Sequence, residues 1–186
     1  MHRLASFAAA AARTALAAAL IALAAGCAEL PTAPGERYDF ELTARFAARY
    51  RDEAASGTLL WRHRAARDEV MLSSPFGQGL ARISREGEAV TLVASDDKRY
   101  SAADAETLTE QVLGFRLPLR GLTDWVRARP AADAPAQAEY AQDGRLLALE
   151  QHGWRIEYTA YEGIQPKRLK LNYPGLELRL AITEWK

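Results

Sequence analysis

Near the start of the chain, the run "YDFELTARFAARY" (38–50) places Phe40, Leu42, Ala44, Phe46, Ala48 and Tyr50 at every second position. Glu41, Thr43, Arg45 and Arg49 fall between them. A period of two is that of a strand with one face in a core and the other in water. Wound as a helix, the same residues would scatter their apolar groups around the whole circumference. This segment therefore needs an antiparallel sheet with one apolar face.

The period recurs along the chain. "SGTLLWRH" aligns Gly57, Leu59 and Trp61, and "WRIEYTAY" aligns Trp154, Ile156 and Tyr158. "KRLKLNY" sets Leu169, Leu171 and Tyr173 against Arg168, Lys170 and Asn172, and "LELRLAI" aligns Leu176, Leu178, Leu180 and Ile182. "EVMLSS", "LARIS", "AVTLVAS" and "RLLALEQ" are shorter strand runs with turn residues between them, as in a meander. Eight to eleven strands are expected in all.

The period changes in the middle. "SAADAETLTEQVLG" has Ser101 as a cap with Asp104 three residues on, an apolar stripe of Ala105, Leu108 and Val112, and Gly114 as a stop. "LPLRGLTDWVRARP" puts Leu119, Leu122, Trp125 and Val126 on one face between Pro118 and Pro130. Both segments read as helices, and "AADAPAQAE" as a connector. The fold class is mainly β (α+β): one curved antiparallel sheet, an incomplete barrel, with a small helical lid. Two narrow helical stripes must cover a wide apolar face, so the interior is either a filled core or a slot for an apolar ligand. By phase, Leu59, Trp61, Leu108, Leu122, Trp125 and Trp154 are the candidate lining residues.

One loop departs from the usual rule for loops. "SSPFGQG" (73–79) has the turn chemistry of Pro75, Gly77 and Gly79, yet it holds Phe76 in its middle. No strand or helix period points that ring at a core. It either folds back onto the domain or stands out as an apolar contact.

The N-terminus reads as a targeting segment. His2, Arg3 and Arg13 precede the apolar run "TALAAALIALAAG", which is too short to span a bilayer. The run closes on "LAAGC", where Cys27 is the sole cysteine of 186 residues. Ala25 and Gly26 before Cys27 resemble a bacterial lipobox, in which the cysteine becomes the acylated first residue. Leu23 lies one position further upstream than the usual apolar residue, and an ordinary secretory signal is the alternative. Ala28 and Glu29 follow the cysteine with no Asp directly after it, which favours the outer membrane over inner-membrane retention. Residues 1–26 are thus expected as signal peptide, 27–37 as lipidated N-terminus and tether, and 38–186 as one domain.

Removing residues 1–26 leaves 22 basic against 24 acidic residues, without the basic excess that nucleic acid requires. His63 and His152 are isolated and no metal-ligand spacing occurs. "SDDK" (95–98) has S-x-x-K spacing but lies between strands rather than opening a helix. The chain is therefore expected to be no enzyme and to need no cofactor. Arg116, Arg120, Arg127 and Arg129 surround the second helix, either as solvated helix ends or as a docking patch for an acidic partner.

Together these segments resemble one family. "LSSPFGQGLARI", "YSAADAETLTEQVLGFRLPLRGLTDWVRARP", "WRIEYTAY" and "PKRLKLNY", behind a lipobox, are similar to the outer-membrane lipoprotein receptor LolB family of Gram-negative bacteria. The resemblance implies an incomplete antiparallel barrel with a helical lid over an apolar cavity. It further implies transfer of acylated lipoproteins from a LolA-like periplasmic carrier into outer-membrane lipid by a monomer facing the periplasm. The family loop matching Pro75, Phe76 and Gly77 carries an exposed apolar residue, usually Leu, associated with delivery to the membrane. A lipid-anchored envelope scaffold with a filled core is the competing reading.

Overall fold

The computed structural model describes residues 37–113 and 116–186. The alternating run at 38–50 forms β1 (Phe40–Tyr50), and ten further strands follow it. They are β2 (Glu53–Arg64), β3 (Arg67–Ser73), β4 (Gly79–Glu86), β5 (Ala89–Ala94), β6 (Arg99–Ala102), β7 (Gln137–Tyr140), β8 (Leu146–Gln151), β9 (Trp154–Glu162), β10 (Gln165–Tyr173) and β11 (Leu176–Trp185). All belong to one antiparallel sheet in the order β6-β5-β4-β3-β2-β1-β11-β10-β9-β8-β7. The closing partnership is between β1 and β11, with Phe46 opposite Leu180. The sheet is thus an open, curved, incomplete barrel whose free edges are β6 and β7. The segment joining those edges carries α1 (Ala105–Leu113) and α2 (Leu119–Trp125).

Three details depart from the sequence reading. Ser101 does not cap a helix: it lies on β6 opposite Thr91, with the two hydroxyl oxygens 3.3 Å apart. Asp104 is the cap, its carboxylate accepting the Thr107 amide at 2.7 Å. Strand pairing claims Ser101 first, and the helix begins at the next residue able to cap it. The second helix ends at Trp125, one residue short of its apolar stripe: Val126 is its right-handed cap, and the chain turns left-handed at Ala128 (φ 55°). Residues 137–139, read as the end of the connector, form the edge strand β7 together with Tyr140. All four of its side chains are exposed, so no alternation marks it.

Leu42, Leu108, Leu149, Ile156, Leu169 and Leu171 are fully buried in one cluster drawn from both sheet and helices. Each such side chain stabilises the fold by about 1.5–3 kcal/mol. Two glycines allow the closest approaches. A Cβ on Gly121 would meet the Trp125 ring at 3.0 Å, so the helical glycine makes room for that indole. A Cβ on Gly57 would lie 2.0 Å from the Ser73 carbonyl oxygen and 3.0 Å from the Phe46 ring. Gly57→Ala should therefore cost about 1–3 kcal/mol, as overpacking does. A urea titration should show a lower midpoint with an unchanged slope.

One polar cluster is buried at the end of the sheet where β2 turns into β3. Asp68 accepts from Trp61 Nε1 (2.8 Å), from Arg85 Nε (2.6 Å) and from His63 Nδ1 (2.7 Å). His63 also stacks on Phe40 with ring centroids 5.0 Å apart. Burial works to raise the Asp68 carboxyl pKa, but the His63 and Trp61 hydrogen bonds and the Arg85 charge outweigh it. The group is held below its ordinary range.

Candidate functional site

The β3–β4 connection closes on itself. Gly77 N–H donates to the Ser74 carbonyl (2.9 Å), Ser74 N–H donates to the Gln78 carbonyl (2.7 Å), and Gly77 takes φ +83°. Pro75 and Phe76 are left at the apex. The Phe76 ring is 92% exposed, the highest value among the exposed large hydrophobic residues. It does not fold back onto the domain.

The six residues chosen by phase all reach the apolar face of the sheet. Leu59, Trp61, Leu108, Leu122, Trp125 and Trp154 are buried in a single cluster, and the Trp125 and Trp154 rings lie 6.1 Å apart. On β1 and β3–β5 burial of that face is graded along the strands. On β9 it runs the other way, from sealed Trp154 and Ile156 to half-buried Tyr161, and Leu176 opposite Tyr50 is sealed too. At the end holding the Asp68 cluster, Phe40, Leu42, Trp61, Val70 and Val90 are sealed. At the end holding Phe76, Phe46, Tyr50, Leu72, Tyr173 and Leu178 are only half-buried. An open groove of about 600 Å3 at this second end reaches Trp154 and Tyr173, whose rings stack at 5.1 Å. Of the six candidates, Trp154 alone lines that groove; Leu59 and Trp61 on β2, Leu108 on α1, and Leu122 and Trp125 on α2 are buried in the core.

The two helices are held differently. Trp125 Nε1 donates to Gln151 Oε1 at 2.8 Å, and the same amide bonds the backbone of Ala131 and Ala134. Tyr158 donates its hydroxyl to the Trp125 carbonyl at 2.8 Å. Burial pushes that hydroxyl's pKa well above its ordinary value, which keeps it a donor. Strands β8 and β9 thus bolt α2 through buried polar groups. The side-chain hydrogen bonds around α1 run within its own segment: Thr107 to Asp104, Thr109 to Ala105, Leu117 to Thr109 and Arg116 to Glu110. Its contact with the sheet is made by Ala105, Leu108 and Val112.

The four arginines all find acids. Arg120 pairs with Glu88 of the β4–β5 turn, Arg116 with Glu110 at 3.0 Å, and Arg127 and Arg129 share Asp124 at 3.1 and 3.3 Å. Arg127 also lies 5.2 Å over the Phe40 ring, and burial lowers its pKa. Arg116, Arg120 and Arg129 keep their heads about half in solvent. In "SDDK", Lys98 pairs with Asp96 at 2.7 Å and Ser95 sits in a hairpin turn. The signal peptide, Cys27 and the tether up to residue 36 lie outside the described residues. The sequence reading missed Asp68, Arg85 and Gln151, whose polar atoms organise the interior. Their only written signal is that a charged or amide residue holds an inward phase in a strand.

The fold is thus an open barrel with one apolar face, a helical cover over it and a bare aromatic ring at one end. Residues 38–185 match the family model described as Outer membrane lipoprotein LolB. The protein named outer-membrane lipoprotein LolB of Thiobacillus denitrificans is 38% identical over 146 residues, covering 78% of each chain. That of Pseudomonas paraeruginosa is 41% identical over 138 residues, covering 72% of this chain and 67% of its own. That of Nitrosomonas europaea is 38% identical over 153 residues, covering 79% and 72%. The chain belongs to the LolB family. Among solved structures, a DUF1329 family protein from Desulfovibrio piger superposes with a TM-score of 0.51 at 6% identity. It covers 82% of this chain and 86% of its own, a likeness of fold alone.

Proposed function

We propose that this protein is an outer-membrane lipoprotein receptor. Anchored through an acylated Cys27, it takes acylated lipoproteins from a LolA-like periplasmic carrier and releases them into outer-membrane lipid. The observation that carries this reading is the placement of the exposed Phe76 ring at the end where the apolar face is only half-buried. Acyl chains enter from that end, past Phe46, Leu72 and Leu178, and reach the deeper Leu59, Leu108 and Trp125 when α1 lifts. Helix α2 stays, because moving it would break the buried bonds of Gln151 and Tyr158, each worth about 1 kcal/mol. Handover without nucleotide energy must run downhill, and each tenfold gain in affinity over the carrier corresponds to about 1.4 kcal/mol. The half-exposed arginines beside α2 would steer an acidic carrier, a contact weakened by salt.

The test is capture of an acylated lipoprotein against its unacylated form, with a fluorescent fatty acid as competitor. Capture of the acylated form alone, displaced by the fatty acid, is the expected result. Equal capture of both forms would instead favour a scaffold that recognises protein surface. Leu108→Glu, which puts a carboxylate on the inner stripe of α1, should lower fatty-acid affinity at least tenfold.

A further inference from the structure

A second exposed apolar tip stands at the opposite end of the sheet. The β9–β10 hairpin turns through Gly163 (φ 58°) and Ile164, and Ile164 is 87% exposed. A turn tip of this kind ordinarily carries Gly, Asn, Asp or Ser, and a β-branched apolar residue there gains nothing for the fold. Strand pairing fixes its place. Gln165 lies opposite Glu162, Tyr173 opposite Leu176, and Tyr50 opposite Leu176, so the β9–β10 tip is at the start of β1. Phe76 follows the end of β3, at the other end of the strands.

The same corner is where the chain enters the barrel. Trp185 Nε1 donates to the Pro166 carbonyl at 3.1 Å, two residues from Ile164. The Trp185 ring also packs edge-on against Phe40 at 5.8 Å, at the head of β1. The described chain therefore begins at the same end of the strands as the Ile164 hairpin, with Asp39 N–H donating to the His63 carbonyl of β2 at 2.8 Å. Only nine residues separate Cys27 from Arg37, a reach of at most about 30–35 Å when fully extended. The nine-residue strand β10 is itself about 30 Å long. A tether of that length lets Ile164 meet the lipid with Phe76 a strand length away.

We infer that Ile164 is a second membrane contact, seating the tether end of the barrel on the lipid bilayer between deliveries. In that resting posture Phe76 and the half-open end face away from the anchoring membrane, where a soluble carrier arrives. Delivery then requires the domain to tip over, which a tether about one strand long just permits. The inference rests on the proposed acylation of Cys27.

The acylated protein makes its own test possible, because modification consumes its one cysteine and leaves an introduced thiol unique. An environment-sensitive fluorophore is attached at Ile164→Cys, Phe76→Cys or Gln142→Cys, the last on the polar β7–β8 turn at the Ile164 end. Each protein is placed on phosphatidylethanolamine/phosphatidylglycerol vesicles without cargo. The Ile164 probe should shift to the blue and be quenched by brominated lipid, while the other two stay aqueous. Ile164→Glu should lower the seated fraction at least tenfold, read as a rise of the Phe76 probe's lipid signal. An aqueous Ile164 probe on protein that still floats with vesicles overturns the inference and leaves the receptor reading standing. An Ile164 probe that responds only to an added protein overturns it in the same way. Failure to float overturns the anchor and this inference together.

Discussion

Phe76→Glu is expected to cut release of an acylated lipoprotein into liposomes at least tenfold, with capture from the carrier unchanged. The ring is 92% exposed and its turn is closed by backbone bonds among Ser74, Gly77 and Gln78. Changing it therefore removes no packing, and stability should move by no more than about 0.5 kcal/mol. In lipid the balance is different. Burying a Phe contributes about 1.5–3 kcal/mol, which is too little to anchor a protein and enough to bias a loop towards the bilayer. A carboxylate reverses the sign of that bias, since acidic side chains cost about 2.5–3.5 kcal/mol at bilayer depth. Phe76→Leu keeps the apolar bulk and should retain most of the release rate. The measurement is cargo transferred to floated liposomes per unit time, beside a capture assay on the same protein. A Glu variant that releases at the parental rate would remove the Phe76 ring from the delivery step.

Most strands and their apolar phases were legible because alternation is a local property: Phe40, Leu42 and Ala44 each contrast with a polar neighbour. The pairing of β1 with β11, by contrast, joins residues far apart in the chain and is written in neither strand. The helices were legible in their stripes, and Leu108, Leu122 and Trp125 are buried as their spacing required. Boundaries were harder. Ser101 and Asp104 are both able to cap, and pairing with Thr91 on β5, not visible in either residue, decides between them. Strand β7 carries no contrast at all, being exposed along its length. The site was half legible. A ring between Pro75 and Gly77 is an anomaly in the sequence, but only the closed turn tells whether it points in or out. Ile164 passed unremarked, because one apolar residue between Gly163 and Gln165 gains meaning only from the strand pairing that puts it beside the start of β1. The grading of the apolar face likewise needs the register, since Leu72 and Val70 share a phase and differ only in how near they lie to the open end.

The largest loss of stability should come from the sealed end, at Asp68. Trp61, His63 and Arg85 all converge on this one carboxylate, from β2 on one side and β4 on the other. Asp68→Ala leaves the Arg85 guanidinium buried with only the Gly87 carbonyl as partner, 2.8 Å from Nη1. Breaking a buried pair from one side costs about 3–5 kcal/mol. The double variant Asp68→Leu/Arg85→Met should recover much of the loss, because both charges then leave together. Acid should act as the single substitution does. The folded-state pKa of Asp68 is depressed, so its contribution is complete above the unfolded value of about 3.9 and drains away as pH falls below it. Urea midpoints measured from pH 7 down to pH 3 should fall more steeply for the parent than for the double variant, converging at the acid end. The variant's curve should lack the Asp68 portion of that slope. The sealed floor would then tolerate mild acidity, with its charged bolt failing only below about pH 4. Identical slopes for the two proteins would mean that Asp68 is not the group holding this end of the barrel shut.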